Sequence, residues 1–183
     1  DCANTSRFDP HKFSDDHKAK LKADLGIVNG RTVVAYLGLL TEYQGISHLL
    51  EAASLLVNRG LPAHFLVMGY TNVDHYRGLA QARGLEEYMT FTGKVEYRHA
   101  PLHLSLGDIA VAPKMSSTEG SGKVLNYMAM GQPVVAYDTA VHREYLDEWG
   151  VYAPVGNAEA FADGIARLIT DAALRRELGQ GLL

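Results

Sequence analysis

The chain has 183 residues, a formal charge of −4, and 47% hydrophobic and 21% charged residues. That is room for one domain with a sizeable core and too little for two full α/β domains, and the mild acidity argues against a general electrostatic grip on nucleic acid. Cys2 is the single cysteine, so no intrachain disulfide or cysteine-based metal site can form, and no apolar run approaches the roughly 20 residues of a membrane span. The expected setting is cytoplasmic, with peripheral membrane contact of a longer parent left open. Because Asp1 rather than Met comes first, an upstream segment is expected to have been removed.

Arg7-Phe8-Asp9-Pro10 reads as an exposed loop leading into the domain. A helix is predicted from Ser14, as N-cap, to Leu25, with Gly26 just past its end. Thr32–Leu37 is an apolar, β-prone run closed by Gly38, the pattern of a strand buried on both faces of a parallel sheet. The alternation then repeats. A helix over Ile46–Asn58 precedes a strand over His64–Met68, and a helix over Val73–Arg83 precedes a strand over Met89–Thr92. A short helix over His99–Ser105 leads to a strand over Asp108–Ala112. A Ser/Gly-rich loop, a helix over Gly122–Met130 and a strand over Pro133–Ala136 come next. The last strand covers Gly150–Ala153, and Asn157 caps a helix to Ile169 that is followed by one over Ala172–Leu178. Six strands alternating with helices imply a single α/β domain over residues 1–183, a doubly wound, six-stranded parallel sheet of Rossmann-like type. Ligands of such sheets bind beyond the carboxyl ends of the strands, where Gly38, Gly69, Gly93 and the loop 116–122 fall.

The most informative stretch runs from Ser116 through Glu119-Gly120-Ser121-Gly122-Lys123 to Val135: a hydroxyl- and glycine-rich loop opening directly into a helix. Free amides and the dipole at a helix N-terminus favour a phosphate, and Gly120 and Gly122 let backbone approach a ligand closely. Lys123 in the first turn opposes the dipole and so calls for an anion, while Glu119 at the mouth can accept hydrogen bonds from sugar hydroxyls. The competing reading is an ordinary Gly/Ser connection with a solvated Glu and Lys. The Walker spacing is missing.

Other residues carry less. His99 and His103 are four apart, but Pro101 between them is expected to disrupt a regular helix and no nearby acid completes a metal site, so no metal is expected. His142-Arg143-Glu144 lies beyond the Val134–Tyr137 strand, either lining the cleft or forming a solvated helix face. Tyr36, Met128 and Met130 read as core and Trp149 as packing on the last strand. Tyr43, beside Gln44, and Tyr70, just after Gly69, are placed to meet a ligand. Gly38 to Gly45 lacks the G-x-G-x-x-G spacing of a nicotinamide site, and Asp108 opens a strand rather than ending one, against a receiver-like module.

In their order these segments resemble the C-terminal domain of group 1 (family four) glycosyltransferases of the GT-B fold. Glu119-Gly120-x-Gly122, then Leu125, Met128-Ala129, Gly131 and Pro133-Val134-Val135, resembles that family's E-G-F-G-x-P-x-L-E-A-M-A-C-G-x-P-V-V. Gly38-Leu39-Leu40 with Gly45 and Leu49-Leu50-Glu51-Ala52, Phe65–Gly69, Phe91-Thr92-Gly93-Lys94-Val95 and Asp108–Pro113 resemble its other segments, and Thr5–Phe8 its approach to this domain. The resemblance covers nearly the whole chain. It implies the nucleotide-sugar-binding half of a retaining enzyme that needs no obligatory metal or other cofactor. The donor would be a UDP- or GDP-sugar, and the partners an N-terminal acceptor domain absent here and a sugar or lipid-linked acceptor. By that resemblance Glu119 lies near the donor sugar, and the backbone from Gly120 through Ser121 and Gly122 to Val124 near the diphosphate or sugar. Lys94 and Val95 lie near the base, and the catalytic contribution falls on Glu119 and Lys123.

Three positions depart from the family pattern. Its Arg after the first-strand glycine is Leu39, its Lys before the next glycine is Gln44, and its second Glu is replaced by Asn126, with one residue fewer in the loop. The usual diphosphate clamp is therefore weakened, and Lys123 is the candidate replacement. Either the donor site is rearranged, or the domain is a degenerate, non-catalytic relative that serves as a binding or interaction module.

Overall fold

The computed structural model describes residues 3–183; Asp1 and Cys2, with the expectations that concern them, lie outside the described residues. Strands β1 (Thr32–Leu37), β2 (Ala63–Met68), β3 (Met89–Gly93), β4 (Ile109–Ala112), β5 (Val134–Tyr137) and β6 (Val151–Ala153) form one sheet. Its order is β3-β2-β1-β4-β5-β6, and every neighbouring pair is parallel. The chain winds outward from β1 through β2 to β3, then returns to the centre and winds the other way from β4. The reversal sits between β1 and β4, so the crevice beyond their carboxyl ends is the ligand position that the topology dictates.

Side-chain alternation along each strand feeds two cores. Val34 and Tyr36 of β1 enter one, covered by α2 (Ile46–Asn58), α3 (Val73–Ala82) and α7 (Ala158–Thr170). Val33 and Ala35 enter the other, under α4 (Ala100–Leu104), α5 (Gly122–Ala129) and α6 (Ala140–Leu146). Burial on both faces explains why β1, β2, β4 and β5 read as continuous apolar runs, since each fully buried large apolar side chain contributes about 1.5–3 kcal/mol. The first helix, α1 (Asp15–Asp24), lies on the surface with no buried residue, and Ser14 caps it by accepting from the His17 amide.

The observed fold differs from the reading in four places. Phe8 is not in an exposed loop: it is 1% exposed and packs at a tilt against Tyr97, because the N-terminal segment folds back onto the second core. A helix that the chain-order reading left out, and that the sequence offered only as one alternative for His142–Glu144, is α6, capped by Thr139, whose hydroxyl accepts from the His142 amide. The last helix, α8 (Ala172–Leu182), continues past Leu178 through two glycines. Those glycines are docking positions rather than stops: a Cβ on Gly179 would lie 2.3 Å from the Gly131 carbonyl oxygen, and one on Gly181 would lie 2.1 Å from the Trp149 ring. Trp149 thus packs on α8 as well as beside the last strand. Pro101 does not break α4, because it occupies the first turn, where its missing N–H has no helical partner to lose.

One close approach fixes the geometry of the crevice. After β1 a 3-10 turn (Glu42–Gln44) ends at Gly45, which has φ +80° and lies so near Pro113, at the end of β4, that a Cβ would meet the Pro113 carbonyl oxygen at 2.0 Å. Gly45→Ala adds left-handed strain to a backbone clash and is expected to lower stability by about 3 kcal/mol or more. Gly78→Ala, on the open face of α3 with nothing within 4 Å, should instead raise it by about 0.5–1 kcal/mol. Urea unfolding of the two variants checks this; equal midpoints would remove the close approach as a structural constraint.

Candidate functional site

The crevice is built from the loops that follow β1 and β4. Tyr127 of α5 ties their floors together: its hydroxyl accepts from the Leu37 amide at 2.8 Å and donates to the Val111 carbonyl at 3.3 Å. Burial pushes the Tyr127 phenol pKa up, so it stays a neutral donor-acceptor bridge. The sequence reading missed this residue. Its only signal is helical spacing, four residues after Lys123 on the inward face of α5.

Lys123 enters the crevice from the first turn of α5. Its Nζ donates to Gln44 Oε1 at 2.7 Å, lies 3.4 Å from the Tyr36 hydroxyl and sits 4.5 Å from the centroid of the Tyr36 ring. Gly38 lies against the ammonium, so that a Cβ there would come within 2.6 Å of Nζ. The Tyr36 hydroxyl donates to the Leu39 carbonyl at 2.6 Å, which leaves its oxygen facing the cation. Among the described residues Lys123 takes part in no ion pair. Burial, and secondarily the positive charge of Lys114, pull its pKa down to about 7. The structure therefore brings Gly38, Gln44 and Lys123 together.

The loop after β4 is held from two sides. Lys114, absent from the sequence-derived candidates, is 2% exposed, and its Nζ donates to the carbonyls of Glu119 at 3.0 Å and Gly120 at 2.9 Å. Glu119 turns one carboxylate oxygen to within 3.4 Å of the same ammonium, while its side chain remains 63% exposed at the mouth. On the far side Ser121 is buried, with its Oγ 3.4 Å from Nε2 of His142. His142 is also buried, not on a solvated helix face, and its Nδ1 lies 2.7 Å from the Tyr137 carbonyl. Burial is the main cause lowering its pKa, so the neutral ring donates from Nδ1 to that carbonyl and accepts from Ser121 at Nε2. Gly122 opens α5 and is exposed. Val124 faces the core, and its amide is already bonded to the Ser121 carbonyl at 2.9 Å, so it offers a ligand neither side chain nor N–H. Asn126 is half-buried.

A second group lies beyond β2 and β3 on the same edge. Tyr70 is 45% exposed, and Lys94 holds its Nζ 5.2 Å from the centroid of the Tyr70 ring. Val95 is half-buried against the second core. The link to the first group is the contact of Gly69 with Gly38, whose carbonyl oxygen would lie 2.0 Å from a Cβ on Gly69. The His99–His103 pair is turned inward on itself, with His103 Nδ1 2.9 Å from the His99 carbonyl.

A model of the family Glycosyl transferases group 1 matches residues 17–181. The chain belongs to that family. Among its relatives, alpha-D-kanosaminyltransferase of Streptomyces kanamyceticus is 28% identical over 166 residues, which cover 89% of this chain and 42% of the relative. The chain thus spans less than half the length of that enzyme. The solved C-terminal domain of the group 1 glycosyltransferase LpcC from Francisella tularensis superimposes with a TM-score of 0.81 at 23% identity, covering 98% of this chain and 94% of the domain. Anabaena HepE in complex with UDP-glucose gives a TM-score of 0.85 at 19% identity, covering 99% of this chain and 50% of that one. The fold is that of a GT-B C-terminal domain. Among the described residues no helix is long and apolar enough to cross a membrane.

The environment of Lys123 has a consequence for stability. Its folded-state pKa of about 7 lies below the ordinary 10.5, so the unfolded chain takes up the proton first as pH falls. Stability is therefore lost as pH drops through the window from about 10.5 to about 7 and changes little further below it. Lys123→Met is expected to be more stable than the parent at pH 7, with the difference shrinking as pH rises. Equal urea midpoints at pH 7, or a difference that stays constant up to about pH 9.5, would contradict this.

Proposed function

We propose that the chain is the donor-binding half of a retaining glycosyltransferase, which holds a nucleoside diphosphate-sugar of UDP or GDP type in the crevice between the β1 and β4 loops. One observation carries this reading: the Lys123 ammonium is desolvated at the strand ends with a ring face and a glutamine oxygen around it and, among the described residues, no carboxylate paired with it. Such a charge is costly unless an anion arrives. The first turn of α5 adds its dipole, and the amides of Gly120, Ser121 and Gly122 make no hydrogen bond among the described residues.

In this reading the diphosphate lies between Gly38 and the start of α5, with Lys123 in place of the cations replaced by Leu39 and Gln44. As the glycosidic bond to the leaving phosphate breaks, charge grows on the diphosphate, and a fixed ammonium with aligned amides stabilises it without reorganisation. Glu119, exposed at the mouth, accepts hydrogen bonds from the sugar hydroxyls. Tyr70, Lys94 and Val95 border the base, and Asn126 offers the ribose an uncharged partner. HepE, of the same fold, is seen with UDP-glucose, which supports the choice of ligand class. The acceptor comes from a second domain, so this chain alone should bind donor and transfer sugar poorly.

Calorimetric titration with UDP, GDP and ADP, without and with magnesium, tests the reading. One diphosphate should bind saturably without metal. Because binding raises the pKa of Lys123 from about 7, protons should be taken up, and the measured enthalpy should change with the ionisation enthalpy of the buffer. Lys123→Ala should weaken the diphosphate by about tenfold or more, the worth of one charge-assisted contact, while leaving the nucleoside nearly unaffected. Equal losses for both ligands would remove Lys123 from the phosphate site.

A further inference from the structure

The buried Lys114 holds the loop that the proposed donor site uses, and the inference drawn from it rests on that donor reading. Lysine is rarely buried without a matching charge, and among the described residues the one carboxylate paired with this lysine belongs to a largely exposed Glu119. What its ammonium holds instead are two successive main-chain carbonyls, those of Glu119 and Gly120, at 3.0 and 2.9 Å. The side chain of residue 114 thereby closes a loop of backbone that runs from the end of β4 to the start of α5.

Peptide planarity turns this staple into an orientation rule. In a trans peptide the C=O and N–H vectors point in opposite directions. Drawing the carbonyls of Glu119 and Gly120 onto Lys114 therefore points the N–H groups of Gly120 and Ser121, which complete those two peptide planes, away from it. Neither amide has a hydrogen-bond acceptor among the described residues, and both lie at the approach to the α5 N-terminus, beside Lys123. Consecutive amides turned to one side form an anion-binding concavity. His142 and Ser121 secure the other side of the same loop, so the two glycines there do not leave it loose.

We propose that Lys114 is a positioning residue that orients the Gly120 and Ser121 amides toward the diphosphate and anchors Glu119 at the mouth, without itself touching the donor. Its positive charge also acts on the neighbouring Lys123, so both lysines serve one anion by different means: Lys123 by contact, Lys114 by holding the backbone.

The test uses the 183-residue chain with UDP and uridine as probes, measured by calorimetry, together with amide spectra of the loop. Lys114→Met keeps the length and apolar stem while removing the donors. It should weaken UDP by about tenfold with uridine affinity unchanged, and UDP should no longer shift the Gly120 and Ser121 amide signals. Lys114→Arg, which keeps a cation with at least two donors, should recover most of the UDP affinity and those shifts. Should Lys114→Met fail to fold, Lys114→Arg decides: a folded Arg variant that binds uridine but has lost UDP overturns the proposal, and one that binds both supports it. UDP bound equally by parent and Lys114→Met, or UDP and uridine lost together in a folded variant, overturns the positioning role alone. A parent chain that binds no UDP, GDP or ADP overturns the donor reading and this inference with it.

Discussion

A lysine ammonium lodged between a tyrosine face, a glutamine oxygen and a glycine backbone is unstable company for itself. Transfer of a charge out of water costs several kcal/mol unless paired, and Lys123 recovers only a neutral hydrogen bond and a cation–π contact of about 1–2 kcal/mol. Much of the surrounding architecture makes that position possible. Gly38 leaves the space, Tyr36 supplies the ring, and Tyr127 ties the ends of β1 and β4 at a fixed separation. The contact of Gly45 with Pro113 presses the two loops together, so that Gln44 reaches the ammonium from the opposite wall.

If the crevice holds the donor as proposed, the Leu39 and Gln44 that stand where the family pattern has cations are not a simple loss. On the proposed donor reading, the positive charge is supplied from the first turn of α5 instead of the β1 loop, and Gln44 accepts from it. That placement costs the free protein stability and stores an unmet demand for an anion, the trade-off expected where a site is organised before its ligand arrives. In the proposed site Lys114 acts at one remove, since its donors are used on backbone carbonyls.

Much of this was legible in the sequence because the signals are local. Apolar runs, three of them closed by Gly38, Gly69 and Gly93, placed all six strands to within about two residues, and the caps Ser14 and Asn157 marked their helices correctly. The family string located the loop and Lys123. What escaped depends on tertiary contact. Lys114 follows a strand and a proline, and a lysine there reads as solvated by default; it is buried because the chain returns at Glu119 and Gly120 to cover it. The seven-residue α6 carries too little apolar periodicity to be seen, and its His142 is buried by contact with a residue 21 positions earlier, Ser121. Gly179 and Gly181 looked like helix ends because their reason for being small lies across the interface, in Gly131 and Trp149.

The central claim is that the α5 N-terminus with Lys123 forms an anion site at the β1–β4 crevice. Amide chemical-shift mapping of the chain with UDP, with uridine as the control, tests it most directly. The account predicts saturable shifts at Gly38 and from Gly120 to Lys123 with UDP, and none there with uridine. Shifts that avoid this loop, and gather for instance around the roughly 270 Å³ cavity lined by Arg77, Leu85 and Phe91, would contradict it.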